Sequence, residues 1–296
     1  MNNESRLTQW IAHVVMLLFS LACLLPFVLL VMSSLTDEKS IVQNGYSFFP
    51  KDLSGKAYEY IWQQSSMIFN AYGITILITV VGTTACLIIT SMLAYPLSRR
   101  DLPGGSLFAF LLFFTLLFNG GLVPSYLVYT QIFHIKDTLA ALIVPGLLMN
   151  GFSVLLMRTF FMATVPGPVL ESASIDGAGE FTIYRKIVMP LSLPILATVG
   201  LMQGLMYWND WNNGLIFITN PKLFSLQNVL NRLMSDIQFL STNSAMSARA
   251  GGALAELPSE GFRMAIAVIS IVPILIAYPF FQKYFVKGMT IGAVKG

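Results

Sequence analysis

Charge is scarce in this 296-residue sequence. Asp, Glu, Lys and Arg make up 10% of it, against about 25% in soluble domains, so an ordinary soluble fold is excluded. Lys and Arg number 17 against 14 Asp and Glu, which leaves a net charge of only +3. No basic run with interleaved aromatics occurs, so nothing argues for nucleic acid. There are two cysteines. Both Cys23 and Cys86 lie inside apolar runs, which suggests neither a disulfide nor a metal site. His13 and His134 are isolated, without the His/Cys/Glu spacing a metal needs, and no catalytic constellation is visible. The phosphate-cradling pattern GxxxxGK[ST] is absent. If ATP drives this protein, another polypeptide hydrolyses it.

What the chain has in abundance is uncharged length. Residues 11–32 carry no charge and exceed the roughly 20 residues that cross a bilayer. That run is too long for a cleaved signal peptide, and no small-x-small site follows it, so it reads as an uncleaved span. Further spans are expected near 70–94, 106–128, 138–162, 195–218 and 262–284. Backbone groups in hydrocarbon must be satisfied within their own segment, so the spans are helices. The expectation is an all-α, polytopic membrane protein with six transmembrane helices, forming one domain over 1–296. Pro26, Pro124, Pro145, Pro273 and Pro279 fall within or beside spans, where proline kinks helices. Gly200 and Gly204 form a small-xxx-small pair that permits close helix approach. Six spans put both termini on one side. Arg99, Arg100, Arg158, Arg185, Lys186 and the C-terminal lysines lean that side towards the cytosol, although the longer opposite loops hold nearly as many cations.

One polar interruption, ESASIDGAGEFTIYRKIVMPLSLP at 171–194, stands apart. Pro168 suits a first helical turn, and Glu171 then lies near the positive end of that helix dipole. Gly177 and Gly179 break the segment. A second amphipathic helix follows, with Phe181, Tyr184, Ile187 and Leu191 on one side and Arg185 and Lys186 on the other. Pro190 and Pro194 end the unit. A short helix, a glycine elbow and an amphipathic helix make a docking shape. The segment resembles the EAA loop of permease subunits in bacterial binding-protein-dependent ABC importers. The matching residues are Glu171, Ala173, Asp176, Gly177, Ala178, Phe181, Ile187, Pro190, Leu191 and Pro194, with Ser172 where the family usually has Ala. The resemblance implies that the loop at 165–194 is a cytosolic coupling element. It assigns ATPase contact to Glu171, Ser172, Ala173, Asp176, Gly177, Ala178 and Phe181.

The stretch 207–213 is the most unusual part of any span. Read as one helix, it sets Asn209 and Asn213 on one face, Tyr207 and Asp210 on another, and Trp208 against Trp211 one turn away. Amides and a carboxylate at such depth face a protein interior or a watery cavity, and aromatics beside them suit a carbohydrate. Tyr207, Trp208, Asn209, Asp210, Trp211 and Asn213 are therefore candidate substrate-path residues. The tryptophans fit an interfacial aromatic belt equally well. This stretch also resembles the sugar-importer permeases. The C-terminus from Pro279 to Gly296 resembles the maltose-type branch, and within it the lipoprotein-associated complex-saccharide group. There the tail reaches the ATPases, which assigns a contact role to Thr290, Gly292, Lys295 and Gly296. The loop at 219–260 has the length to meet a binding protein, but no residue in it matches.

The resemblance implies a multi-pass subunit of the bacterial cytoplasmic membrane with both termini cytosolic. Its partners are a second homologous permease, two cytosolic ATPases, an extracytoplasmic solute-binding protein, membrane lipid and a carbohydrate substrate. No cofactor is expected on this chain, with ATP and Mg in the partner subunits. Two rivals stand against it. An intramembrane enzyme needs a catalytic cluster that the spans lack. An ion-coupled secondary transporter of small polar solutes usually places several ionisable groups near the midplane, and it would leave the docking loop unexplained.

Overall fold

The computed structural model of the chain describes residues 3–63, 65–99, 101–242 and 259–293. Among these, the regular elements are helices, with one isolated antiparallel bridge between Thr36 and Leu53 and no strand. Among the described residues, three helices have the length and apolar composition to cross a membrane alone: Thr8–Ser34, Ser65–Ser98 and Glu260–Pro279. Three further pairs pass that test only together, each bent at a short break: Gly105–Leu117 with Leu122–Ile132 at 110°, Gly151–Thr164 with Gly167–Ile175 at 80°, and Glu180–Leu191 with Leu193–Trp208 at 80°.

The breaks correct the expected continuous spans. The run at 106–128 is interrupted at Asn119-Gly120-Gly121, where Gly121 takes φ +85° and the Asn119 side chain accepts its N–H at 2.8 Å. Only glycine adopts that backbone cheaply. The run at 138–162 divides into Leu139–Ile143 and Gly151–Thr164, with Pro145 between them and Asn150 capping the second helix. Proline supplies no N–H to continue the first helix. The run at 195–218 divides into Leu193–Trp208 and Asn212–Phe217. Conversely, the last helix continues past its expected end at 284, running Ser259–Ala293 through Pro273 and Pro279. The 219–260 region also holds a helix, Leu226–Thr242.

The chain divides into two units, Met1–Ile68 with Leu230–Leu275, and Phe69–Val229 with Ile276–Gly296. In the first, Asp37 caps the helix Glu38–Asn44. The Glu38 carboxylate then accepts the backbone N–H groups of Glu260 and Gly261, both at 3.0 Å. These donors at a helix start have no partner within their own helix, so a carboxylate suits them. Tyr58 and Ser34 share a hydroxyl hydrogen bond at 2.8 Å.

The second unit packs Leu193–Trp208 against Ser65–Ser98. A side chain at Gly200 would meet Leu87 at 3.3 Å, and one at Gly204 would meet Thr83 at 3.6 Å. The small-residue pair thus does lie at a close helix approach. At Gly82 the ring of Tyr207 occupies the space any Cβ would need. Below this contact Ala94, Tyr95, Val154, Met157, Phe161, Ile183 and Val188 form the main buried cluster.

Candidate functional site

The polar segment folds as its residues suggest. Pro168 stands in the first turn of Gly167–Ile175, which Asp176 ends. Gly177 then takes φ +79°, and the N–H of Ala178 bonds back to the Ala173 carbonyl at 3.0 Å. A left-handed residue just past a helix end closes off its last carbonyls. The chain re-enters helix at Glu180 and runs to Leu191, with a wider π-type turn over Tyr184–Val188. The result is a helical hairpin with Gly177 at its tip.

One side of the hairpin is fixed to the body of its unit. Ile183 and Val188 are buried, and Leu170, Ala173, Ala178, Tyr184 and Ile187 pack on the same cluster. The other side projects: Ile175 is 86% exposed and Phe181 65%, while Glu171, Ser172, Asp176 and Gly177 are also exposed. Exposed large apolar residues beside acidic ones are what an interaction surface offers. The seven candidate coupling residues thus divide, with Ala173 and Ala178 turned inward as anchors and the rest outward.

Polar contacts tie the hairpin to the end of Ser65–Ser98. The Tyr95 hydroxyl donates to Glu180 Oε2 at 2.5 Å, and Tyr184 and Ser91 share a hydroxyl bond at 2.7 Å. Arg99 Nη2 lies 3.5 Å from Glu180 Oε1, and Arg99 also holds Asp101 at 3.1 Å. That hydrogen bond pulls the exposed Asp101 carboxyl below its usual range. Arg158 Nε donates to the Leu97 carbonyl at 2.8 Å. None of Tyr95, Glu180, Tyr184 or Ser91 stands out in the sequence as a site residue, because each finds its partner only after the chain returns about 90 residues later. A cleft of about 560 Å³ opens beside this clamp, with Arg99, Asp101 and Glu171 on its wall.

At 207–213 the geometry departs from a single helix. Leu193–Trp208 ends there, and Asp210 Oδ1 accepts the N–H groups of Asn212 at 3.2 Å and Asn213 at 3.3 Å to start the next helix. A side-chain acceptor at a helix start ends one helix and begins another. Trp208 is buried with its ring 6.4 Å from that of Tyr72, whereas Trp211 lies in the break and is 43% exposed. The two tryptophans are therefore not stacked one turn apart. Asn209 turns back to the Leu205 carbonyl and is exposed, while Asn213 is buried and donates to the Pro145 carbonyl at 2.9 Å. Tyr207 donates to the Ile143 carbonyl at 2.8 Å, and Gln203 to that of Leu147 at 2.7 Å. These bonds serve carbonyls that the proline break leaves without helical partners.

Asp210 and Asn213 border an open pocket of about 530 Å³, part polar and part apolar, that also takes in Asn119, Ser125, Tyr129 and Asn212 beside Leu122, Ile216 and Phe217. The helix Leu122–Ile132 meets Asn212–Phe217 here, with Tyr126 stacked on Phe217 at 5.8 Å and Tyr129 edge-on at 5.9 Å. Tyr207 and Trp208 are buried and do not line the pocket. Asn119, Ser125 and Tyr129 escaped the sequence reading, although Asn119-Gly120 is a recognisable turn signal. Thr290 and Gly292 fall within the last helix. Lys295 and Gly296 lie outside the described residues.

Comparison with known proteins accounts for this architecture. Residues 102–291 match the family described as binding-protein-dependent transport system inner membrane component. The polygalacturonan/rhamnogalacturonan transport system permease protein YtcP of Bacillus subtilis (strain 168) is 33% identical over 293 residues, covering 99% of this chain and 100% of its own. Protein LplC of the same organism is 36% identical over 275 residues, covering 92% and 90%. The crystal structure of a bacterial ABC transporter involved in the import of the acidic polysaccharide alginate contains a chain that superposes with a TM-score of 0.78. It is 29% identical and covers 96% of this chain and 99% of that one. An all-helical chain with long apolar helices, aligned along its whole length with transport permeases, belongs to the family of binding-protein-dependent transport system inner membrane components, which are membrane subunits of transporters and not enzymes.

Proposed function

We propose that this chain is one half of the membrane channel of an ATP-driven importer of oligosaccharides or related carbohydrates. The observation that carries the reading is the hairpin tipped by Gly177. It is anchored by Ile183 and Val188 and presents Glu171, Ile175 and Phe181 to a partner. In this reading two cytosolic ATPases, which hold the ATP and Mg, receive the hairpin at 165–194. Glu171 offers a charge-assisted bond to an ATPase arginine. A second homologous permease completes the channel, and an extracytoplasmic binding protein delivers the saccharide. The chain itself holds no cofactor. It sits in the bacterial cytoplasmic membrane as six spans with both termini cytosolic, surrounded by lipid. Thr290, Gly292, Lys295 and Gly296 add a second ATPase contact.

Mechanically, ATPase closure pushes the hairpin. The Tyr95–Glu180 and Tyr184–Ser91 bonds carry that push into Ser65–Ser98. Higher on the same helix, Gly82 sits against Tyr207, whose hydroxyl holds the Ile143 carbonyl next to the Pro145 turn. The path from hairpin to cavity is thus a chain of packed contacts, consistent with rigid-body rocking around a fixed site. The carbohydrate assignment rests on the saccharides named for the similar permeases and on the amides, hydroxyls and carboxylate around the cavity. Uptake of labelled oligosaccharide by cells tests the energy source. It should survive collapse of the proton gradient and stop on ATP depletion. The reverse pattern means an ion-coupled secondary transporter instead.

A further inference from the structure

The walls of the open pocket at 119–147 and 210–217 are not held alike. Two of them are tied together. Gln203, Tyr207 and Asn213 donate to the carbonyls of Leu147, Ile143 and Pro145 at 2.7, 2.8 and 2.9 Å, and all three side chains are buried. Buried bonds of this kind are costly to break, because each would strand a polar group. Residues 139–147 and 193–217 are therefore one piece. The third wall, Leu122–Ile132, is different. Hydrogen bonds of residues 122–135 stay within 119–138, and among the described residues none reaches another segment. Its ring contacts with the tied walls fall on Phe217, through Tyr126 and Tyr129. Apolar contact is non-directional and lets surfaces slide where hydrogen bonds do not. Both ends of this wall are anchored. Before it, Gly105–Leu117 lies against Gly151, where a Cβ would meet Leu116 at 3.1 Å. The chain then bends by 110° at Asn119-Gly120-Gly121. After it, His134 and Asp137 take φ of +51° and +56°. Asp137 donates its N–H to the Phe217 carbonyl at 3.1 Å, and its carboxylate accepts from Thr219 and Asn220.

We propose that Leu122–Ile132 is the gate of the pocket, a strap that swings between its ends at 119–121 and 134–137, with Phe217 as the residue that positions it when closed. This rests on the importer reading above and adds which element moves. The push from the hairpin travels along Ser65–Ser98 to Tyr207, and Tyr207 holds the Ile143 carbonyl. It therefore arrives on the two tied walls, which shift together. The strap lies off that path and is joined to the tied walls by packing alone between its anchored ends. A shift of the tied walls thus opens the seam along Phe217 instead of carrying the strap with it. Hinge motions of this kind are absorbed by a few residues at element ends, here Gly120, Gly121 and the left-handed pair at 134 and 137.

The test uses the whole transporter, purified through a tag on this chain and placed in lipid nanodiscs. Cys23→Ser and Cys86→Ser remove the two native thiols of the chain. Spin labels on Val123→Cys and Leu215→Cys report the strap against a tied wall. Labels on Met149→Cys and Leu215→Cys report one tied wall against the other, and all three positions are exposed. Distances by EPR are compared at rest and after trapping with ATP, Mg and orthovanadate. The 123–215 distance should shift by several ångströms on trapping, while the 149–215 distance stays. Phe217→Leu keeps an apolar side chain but removes both ring contacts. In that variant the resting 123–215 distances should already spread towards the trapped value. In a preparation that hydrolyses ATP, both distances unchanged or both shifting alike would overturn the gate and leave the importer reading standing. A Phe217→Leu distribution identical to the starting one would also overturn it. A preparation that no ATPase accompanies would refute the importer reading, and the gate with it.

Discussion

Tyr95→Phe combined with Tyr184→Phe removes two hydroxyls from the clamp and leaves both rings in place, 5.6 Å apart by their centroids. The Tyr95 hydroxyl bonds a carboxylate, a class of interaction worth about 1.5–3 kcal/mol net. The Glu180 side chain is 61% exposed, so water competes and about 1–1.5 kcal/mol is the better figure. The Tyr184–Ser91 hydroxyl pair adds about 1 kcal/mol. Together the double variant weakens the hold on the hairpin by about 2–2.5 kcal/mol, roughly 30- to 70-fold in the equilibrium between docked and released hairpin. Neighbouring bonds in one network need not add, so the single variants are measured alongside. Hydrogen exchange on the purified transporter reads this directly. Amides at 178–183 should exchange faster by about that factor, while those at 78–90 stay unchanged. More ATP should also be hydrolysed per saccharide transported. If hairpin exchange and coupling ratio both match the unaltered protein, the clamp does not transmit force and the proposed path is wrong.

Two other perturbations follow from local geometry. Apart from its own chain neighbours, no atom lies within 4 Å of the Cβ position at Gly177, and its φ is +79°. The cost of a substitution there is therefore backbone strain, about 1–2 kcal/mol for Ala. Uptake should fall in the order Gly177→Asn, Gly177→Ala, Gly177→Val, because Asn tolerates this conformation best; equal loss for all three would show that backbone strain does not govern the tip. Asp137 has its carboxyl held below the ordinary range by the Thr219 side chain and by the N–H groups of Thr219 and Asn220. Its contribution is complete above about pH 4 and is lost as pH falls through the depressed value. Thermal unfolding of the purified transporter should show Asp137→Asn less stable at pH 7, with the gap closing in acid. A gap that persists unchanged below pH 3 would contradict the assignment.

The parts of the fold that sequence made legible are those with local causes. Long uncharged runs become helices because lipid leaves the backbone no alternative. Pro168, Gly177 and Gly179 mark the hairpin because each restricts or frees the chain at its own position. The breaks at Gly121, Pro145 and Asp210 were harder to place, since a run of apolar neighbours outweighs one turn signal inside it. Asp210 shows the consequence. Read as a helical position it pairs with Tyr207, but its carboxylate instead caps the next helix and moves Trp211 away from Trp208. The clamp had no local signature at all. Tyr95 and Glu180 are 85 positions apart, and only the packing of the hairpin on Ser65–Ser98 brings them together. The cavity is similar, assembled from Asn119, Ser125 and Tyr129 on one side of the chain and Asp210 to Asn213 on the other.

The central claim is that the Gly177 hairpin docks this half-channel onto its ATPases. The direct measurement is affinity purification of the tagged chain from its native membrane in mild detergent, with identification of what accompanies it. The account predicts a second permease and an ATP-binding subunit, with the ATPase lost on Gly177→Asp while the chain still inserts in the membrane. A chain recovered alone or only with copies of itself, or an ATPase retained at full yield by Gly177→Asp, would contradict it.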